Sequence, residues 1–182
     1  MKTVLITGTS SGIGEAAAQH FLKQGWRVGA TARRPEKLGA WSRTEQVVPL
    51  PLDVTEPDSV RSAVGDALRL MGRIDVLVNN AGVGSAGPLE AITVEEIERH
   101  FQTNLFGAIR MIQEVLPIFR KQKDGVIVNV SSIAGRFGIP FLSPLLRRQV
   151  CLGGSERVAL LRASSFQHSH KAHRARRNQD GL

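Results

Sequence analysis

The stretch Thr7–Gly14, TGTSSGIG, directly follows the short apolar run Val4–Ile6. A strand, a glycine-rich turn and a helix in this order are typical of a dinucleotide-binding unit. Glycines at these positions permit a sharp turn, a close approach of the backbone to a pyrophosphate, and tight packing of the next helix. The first amides of that helix are expected to point at the phosphates, at the positive end of the helix dipole. The candidate contacts are Gly8, Ser10, Ser11, Gly12, Ile13 and Gly14.

Apolar strands and amphipathic helices alternate along the chain up to about residue 144. The strands are nearly continuous in apolar residues, which is typical of a parallel sheet covered by helices on both faces. The sequence therefore predicts an α/β fold with a Rossmann-like, doubly wound parallel sheet in one domain. The predicted strands are Val4–Ile6, Val28–Thr31, Val47–Leu52, Ile74–Val78 and Val126–Val130.

Several helix boundaries follow from capping signals. Thr55 is expected to cap a helix that has Pro57 in its first turn. A capping box made by Thr93 and Glu96 predicts the start of a long helix. Pro117 is expected to bend or end that helix, because proline lacks the backbone N–H of a helix interior.

The end of the second predicted strand carries Ala32 and Arg33, where NAD-dependent enzymes commonly have an acidic residue for the ribose hydroxyls. An acidic group repels a 2′-phosphate, whereas an arginine donates charge-assisted hydrogen bonds to it. Arg33 therefore favours NADP over NAD as the cofactor. The alternative is that Arg33 and Arg34 are solvated loop residues.

The chain has 182 residues, of which 42% are hydrophobic and 22% charged, as is usual for a globular protein. We find no apolar run of bilayer length and no signal-peptide pattern, so a cytoplasmic location without a membrane partner is expected. The single cysteine, Cys151, excludes an internal disulfide and a multi-cysteine metal site.

The formal charge of +8 is concentrated in residues 145–182, which hold eight basic and two acidic residues. A nucleic-acid binder that uses this basic tail is one alternative function, but Phe166 is the tail's only aromatic residue and offers no stacking platform. No nucleic-acid partner is therefore expected. No metal is expected either, since the alternating His168, His170 and His173 seldom make a closed site in a flexible tail.

Five motifs occur in order over residues 1 to about 144. Besides the glycine turn, they are Asp53–Val54, the NNAG segment Asn79–Gly82, Asn104 followed by Gly107, and the SSIAG segment Ser131–Gly135. As a set they resemble the short-chain dehydrogenase/reductase family. The resemblance implies hydride transfer between NADP(H) and a small-molecule alcohol or carbonyl substrate.

The resemblance also implies roles for individual residues. The Asp53–Val54 pair would flank the adenine, Asn80–Gly82 would line the cofactor and brace the sheet, Asn104 would support a proton relay, and Ser132 would hold the substrate oxygen. Each has a plainer alternative, since Asp53 could cap the turn after its strand and Asn104 could be a solvent-facing polar residue. A strand-end serine often only bonds the backbone. The candidates are Asp53, Val54, Asn80, Ala81 and Gly82 for the cofactor, and Asn104 and Ser132 for catalysis.

The family's acid–base motif, Tyr-x-x-x-Lys, is absent, because the chain contains no tyrosine. When the chain is aligned on the SSIAG segment, the tyrosine and lysine positions fall on Leu145 and Gln149. Neither a leucine nor a glutamine side chain can act as a general acid or base. Loss of a general acid–base alone typically lowers the rate by about 10²–10⁴, so the chain is predicted to be inactive or very weak.

Codons for Leu145–Cys151 can be chosen so that a shifted reading frame spells Tyr-Tyr-Ala-Ala-Lys-Phe, which restores the motif in register. We therefore expect two segments, an NAD(P)-binding Rossmann domain at 1–144 and an atypical basic tail at 145–182 that is out of frame and largely disordered. The fold would then be incomplete on its C-terminal side. An exposed fifth strand, an incomplete homo-oligomer interface and aggregation are expected consequences.

Two functions remain from the sequence. The first is an NADP-dependent oxidoreductase of this family with impaired catalysis. The alternative is a dinucleotide-binding module that does not turn the cofactor over.

Overall fold

The computed structural model describes residues 1–84, 88–131 and 161–162. Three 3₁₀ turns, Pro35–Lys37, Ala40–Ser42 and Leu89–Ala91, lie between the main elements. A π-helical turn, Gln102–Phe106, joins the third and fourth helices. In chain order the main elements are β1 (Thr3–Ile6), α1 (Gly12–Lys23), β2 (Arg27–Ala32), β3 (Val47–Pro51), α2 (Pro57–Met71), β4 (Val76–Asn79), α3 (Val94–Phe101), α4 (Gly107–Gln122), β5 (Val126–Asn129) and β6 (Leu161–Arg162).

The described strands form one sheet in the order β3-β2-β1-β4-β5-β6. Strands β1 to β5 are parallel, and β6 pairs antiparallel with β5. This architecture confirms the predicted Rossmann-like, doubly wound α/β fold. The strand order reverses between β1 and β4, and this switch point opens a crevice at the carboxyl ends of the strands.

Each face of the sheet carries its own hydrophobic core, because successive side chains of a strand point to opposite faces. Leu5 of β1 packs on the face covered by α2 and α4, where Phe119 is fully buried. Val4 and Ile6 pack on the other face with Ala18 of α1. The double coverage explains why the strands are nearly continuous in apolar residues.

The expectation that the fifth strand forms an exposed edge is wrong for the first half of β5. Val126 of β5 is paired with Arg162, and Ile127 with Leu161. An unpaired strand edge presents a row of N–H and C=O groups that an extended segment readily satisfies. The rest of the predicted basic tail lies outside the described residues.

Two of the predicted capping signals have different outcomes. Thr93 is the N-cap of α3, and its Oγ1 accepts a hydrogen bond from the Glu96 backbone N–H at 3.2 Å, as predicted. The pKa of Glu95 is lowered from its usual value because its carboxylate accepts a hydrogen bond from its own backbone N–H and another from Thr93. Thr55 does not cap α2, whose N-cap is Glu56. The Thr55 hydroxyl instead donates to the Asp53 carboxylate at 2.7 Å.

The long predicted helix is two helices, α3 and α4, on either side of the π-helical turn. Pro117 lies inside α4 and does not end it, since the helix continues to Gln122. Pro117 and Gln113, the residue four positions earlier, are both exposed. An exposed position suits a proline inside a helix, because water can replace the N–H donor that proline lacks.

Candidate functional site

A cleft of about 760 Å³ lies at the carboxyl ends of the strands, above the β1/β4 switch point. Most of the predicted cofactor contacts meet in its lining, although they come from segments far apart in the sequence. Ser132 lies outside the described residues. The predicted contacts that line the cleft are Gly8, Ser10, Ser11, Ile13, Arg33, Asp53, Val54, Asn80, Ala81 and Gly82.

The glycine turn has a backbone that only glycine adopts readily. Gly8 and Gly12 have φ values of 71° and 61°, in the left-handed region. A Cβ on Gly8 would lie 2.9 Å from Ala81 Cα, and one on Gly14 would overlap the Gly8 carbonyl oxygen and Asn80 Nδ2. These close approaches hold the start of α1 against the end of β4.

Thr7 joins the glycine turn to β4. Its Oγ1 accepts hydrogen bonds from the backbone N–H groups of Asn80 and Ala81, both at 2.9 Å. In return, Asn80 Nδ2 donates to the carbonyl oxygens of Thr7 at 2.9 Å and Gly8 at 3.0 Å. Asn80 therefore braces the turn. Thr7 was not predicted as a site residue, although it opens the glycine motif in the sequence.

The start of α1 faces the cleft. Its N-cap is Ser11, whose side chain makes no capping hydrogen bond within the described part of the chain. A Cβ on Gly12 would meet nothing within 4 Å. Ile13, one of the candidate contacts, lines the cleft and is 65% exposed. Open space beside uncapped amides fits a phosphate group.

Two charged groups lie on the strand ends that border the cleft. Arg33 is exposed and follows β2. The Asp53 Oδ1 atom accepts hydrogen bonds from the N–H of Thr55 at 2.9 Å and from its hydroxyl at 2.7 Å. The backbone N–H of Asp53 donates to Ser59 Oγ at 2.9 Å. Asp53 thus caps the turn after its strand, as the plainer alternative proposed, and also lines the cleft.

Asn104 lies in the π-helical turn and does not line the cleft directly. Its Oδ1 accepts a hydrogen bond from the backbone N–H of Val83, and its Nδ2 donates to the Val83 carbonyl, both at 2.8 Å. The side chain is therefore bonded at both ends to the loop that follows β4. Its role in a proton relay stays a prediction.

All of the cleft-lining residues that α3 and the π-helical turn contribute were missed by the sequence reasoning, namely Arg99, His100 and Thr103. The Thr103 hydroxyl donates to the Arg99 carbonyl at 3.1 Å. Arg99 and Thr103 are four residues apart, so they lie on one side of the helical segment. That spacing is the sequence signal that would have identified them once this segment was placed beside the cleft.

Neither a metal cluster nor a membrane-spanning helix occurs in the parts of the chain that the structure describes. Residues 1–84 and 88–131 contain no group of three or more His, Cys, Asp or Glu side chains able to hold a metal ion. No described helix has the length and hydrophobicity needed to cross a membrane.

Comparison with known sequences identifies a family. The sequence model described as short chain dehydrogenase matches residues 2–144. A 3-ketodihydrosphingosine reductase of Bacteroides thetaiotaomicron is 46% identical over 139 residues, which are 76% of this chain and 49% of that protein. The chain spans about half the length of several curated relatives it matches.

Solved structures with bound nicotinamide cofactors are similar in fold. ElxO with NADP bound is 32% identical with a TM-score of 0.75, over 84% of this chain and 64% of that one. A 3-ketoacyl-(acyl-carrier-protein) reductase from Brucella melitensis, complexed with NADH, is 30% identical with a TM-score of 0.78, over 83% of this chain and 65% of that one.

Proposed function

Because the chain belongs to the short-chain dehydrogenase family, we propose that it binds NADP(H) as an oxidoreductase of this family whose catalysis is impaired. The substrate class of the proposed reaction is a small-molecule alcohol or carbonyl compound. The observation that carries the proposal is the cleft at the β1/β4 switch point, with the glycine turn on one side and Arg33 at the end of β2.

The residues present fit the cofactor. The exposed first turn of α1 and the side-chain-free Gly12 leave space and N–H donors for the pyrophosphate. Arg33 is placed to donate charge-assisted hydrogen bonds to a 2′-phosphate. The Asp53–Val54 pair borders the adenine, and Asn80–Gly82 line the cofactor. When bound, the nicotinamide ring supplies or accepts the hydride.

NADP is the proposed cofactor rather than NAD. Two points support this choice: Arg33 occupies the position where an acidic residue would favour NAD, and ElxO, one of the similar structures, has NADP bound. The NADH complex of the Brucella melitensis reductase shows that a similar fold also accepts the other cofactor.

Catalysis requires a proton donor or acceptor at the substrate oxygen. In the proposal, Asn104 supports the proton relay and Ser132 holds the substrate oxygen, but the chain has no tyrosine to exchange the proton. This lack favours the second candidate, a dinucleotide-binding module without turnover. Residues 1–144 form the binding domain in both candidates, and 145–182 are proposed to be an out-of-frame tail that leaves the oligomer interface incomplete.

The proposed partners of the chain are the cofactor and a small-molecule substrate, with no nucleic acid and no membrane. A cytoplasmic location is part of this proposal.

The substitution Arg33→Asp tests the cofactor proposal. The aspartate would repel the 2′-phosphate and accept hydrogen bonds from a free ribose hydroxyl, so we expect the affinity for NADPH to fall by about tenfold or more. The affinity for NADH should stay equal or rise. Fluorescence titration of both cofactors measures the two dissociation constants.

Arg43→Asp provides the matched control, because Arg43 is exposed and lies outside the cleft lining. It makes the same charge change and should leave the ratio of the two dissociation constants unaltered. An Arg33→Asp chain that still prefers NADPH as strongly as the unaltered chain would contradict the role of Arg33.

A further inference from the structure

The π-helical turn Gln102–Phe106 interrupts the helix beside the cleft. Such turns inside α-helices are rare and frequently occur at functional sites. Here the turn places Thr103 in the cleft lining and Asn104 against the backbone of Val83. A movement of the π-helical turn would therefore move the cleft-lining residues Thr103 and Val83.

Arg110, which lies near the start of α4, connects the π-helical turn to the loop that follows β3. Its Nη2 donates to Gln102 Oε1 at 2.8 Å, and its Nη1 lies 3.5 Å from the Gln102 carbonyl oxygen. The same Nη1 donates to the carbonyl oxygen of Val54 at 3.3 Å. One guanidinium group thus bonds the π-helical turn and the loop that follows β3.

The loop after β3, residues Asp53–Thr55, forms the floor of the cleft and keeps its shape by its own hydrogen bonds. These bonds run from Thr55 to the Asp53 carboxylate and from the Asp53 N–H to Ser59. The start of α4 packs tightly on this loop, since a Cβ on Gly107 would lie 2.7 Å from Val54 Cγ2. This packing holds the Phe106 end of the π-helical turn, whereas the Gln102 end is bonded to the floor loop through Arg110. Loss of the Arg110 bonds would therefore let the Gln102 end move relative to the floor loop, while the floor loop keeps its own hydrogen bonds.

We propose that Arg110 is a positioning residue that fixes the separation between the floor loop and the π-helical turn, and thereby the affinity for NADP(H). Within the described residues, Arg110 does not line the cleft and acts through Val54 and Gln102. The inference rests on the proposed function, because it concerns the same cleft.

An arginine suits this position for a geometric reason. Its planar guanidinium presents five N–H donors in a fixed fork, so it reaches acceptors on two segments at once. A lysine ammonium is a point charge on a flexible stem and does not hold two such acceptors in a fixed relation. Arg110 is half-buried, which strengthens its hydrogen bonds relative to those of a fully solvated group.

The substitution Arg110→Ala separates positioning from folding when two ligands are compared. NADPH extends across the cleft, whereas adenosine 2′,5′-bisphosphate carries only the adenine half and contacts the floor loop in the proposed pose. We expect the dissociation constant of NADPH to rise by about tenfold, and that of the bisphosphate to change little. The ratio of the two constants, measured by titration calorimetry, therefore rises in the variant.

If Arg110 acted in folding alone, its loss would lower the concentration of folded protein. The apparent dissociation constants of both ligands would then rise by the same factor, and their ratio would stay unchanged. Arg120→Ala is the matched control, because Arg120 is exposed in the last turn of the same helix, and it should leave both constants unaltered. If Arg110→Ala does not fold, Gln102→Ala decides, since it removes the partner of the 2.8 Å bond from an exposed position and should raise the ratio too.

The outcomes distinguish this inference from the proposed function. Absence of NADPH binding by the unaltered chain would overturn the proposed function. Binding by the unaltered chain together with an unchanged ratio in Arg110→Ala, or in Gln102→Ala where that variant decides, would overturn the positioning role alone. A raised ratio in the variant with unaltered constants in Arg120→Ala would support it.

Discussion

In a chain carrying Gly14→Ala, we expect the dissociation constant of NADPH to rise by about tenfold or more. We also expect the free energy of unfolding to fall by about 1–3 kcal/mol. The added methyl group would overlap the carbonyl oxygen of Gly8 and the Nδ2 atom of Asn80. The Gly8 carbonyl is a backbone group, so the clash is relieved only when the start of α1 moves away from Gly8 and Asn80. Titration with NADPH and a thermal melt followed by circular dichroism measure the two effects.

Gly65→Ala is the matched control for this experiment. Gly65 lies in α2, and a Cβ there would meet nothing within 4 Å. The same glycine-to-alanine change should stabilise the chain by about 0.5–1 kcal/mol, because glycine is a poor residue for a helix interior. Its affinity for NADPH should be unaltered. An unchanged dissociation constant in Gly14→Ala would contradict the account of the glycine turn.

The rate of NADPH oxidation by this chain is expected to be about 10²–10⁴-fold lower than the rate of a family enzyme that has the tyrosine. The physical reason is that no tyrosine is present to exchange a proton with the substrate oxygen. A panel of ketones and aldehydes, assayed by the loss of nicotinamide absorbance, measures the rate. NADPH binding in the same preparation serves as the control for folded protein.

A substrate-dependent rate in the usual enzyme range, about 1–10³ s⁻¹, would show that another group in this chain supplies the proton. The non-catalytic alternative would then be excluded as well.

The sequence predicted the parts of the fold that depend on local chemistry. The glycine turn was found because its backbone needs residues without side chains, and Gly8 and Gly12 do have positive φ values. The five parallel strands were found because burial on both faces leaves a continuous apolar run. Thr93 was identified as a cap because its bond to Glu96 spans three residues.

The connections between distant segments were not predictable in the same way. The bonds of Asn104 to Val83 span 21 residues, and the bond of Arg110 to Val54 spans 56. The residues of the π-helical turn carry no sequence pattern that differs from that of the flanking helices. Arg99 and Thr103 were likewise not predictable as cleft residues, because helical periodicity does not show which positions border a cleft.

The most direct test of the account is a calorimetric titration of the unaltered chain with NADPH and with NADH at the same ionic strength. We expect one equivalent of NADPH to bind, with a dissociation constant at least about tenfold lower than that of NADH, because Arg33 bonds the 2′-phosphate. Equal affinities for the two cofactors would contradict the NADP assignment. No binding of either one would contradict the proposal that this cleft holds a dinucleotide.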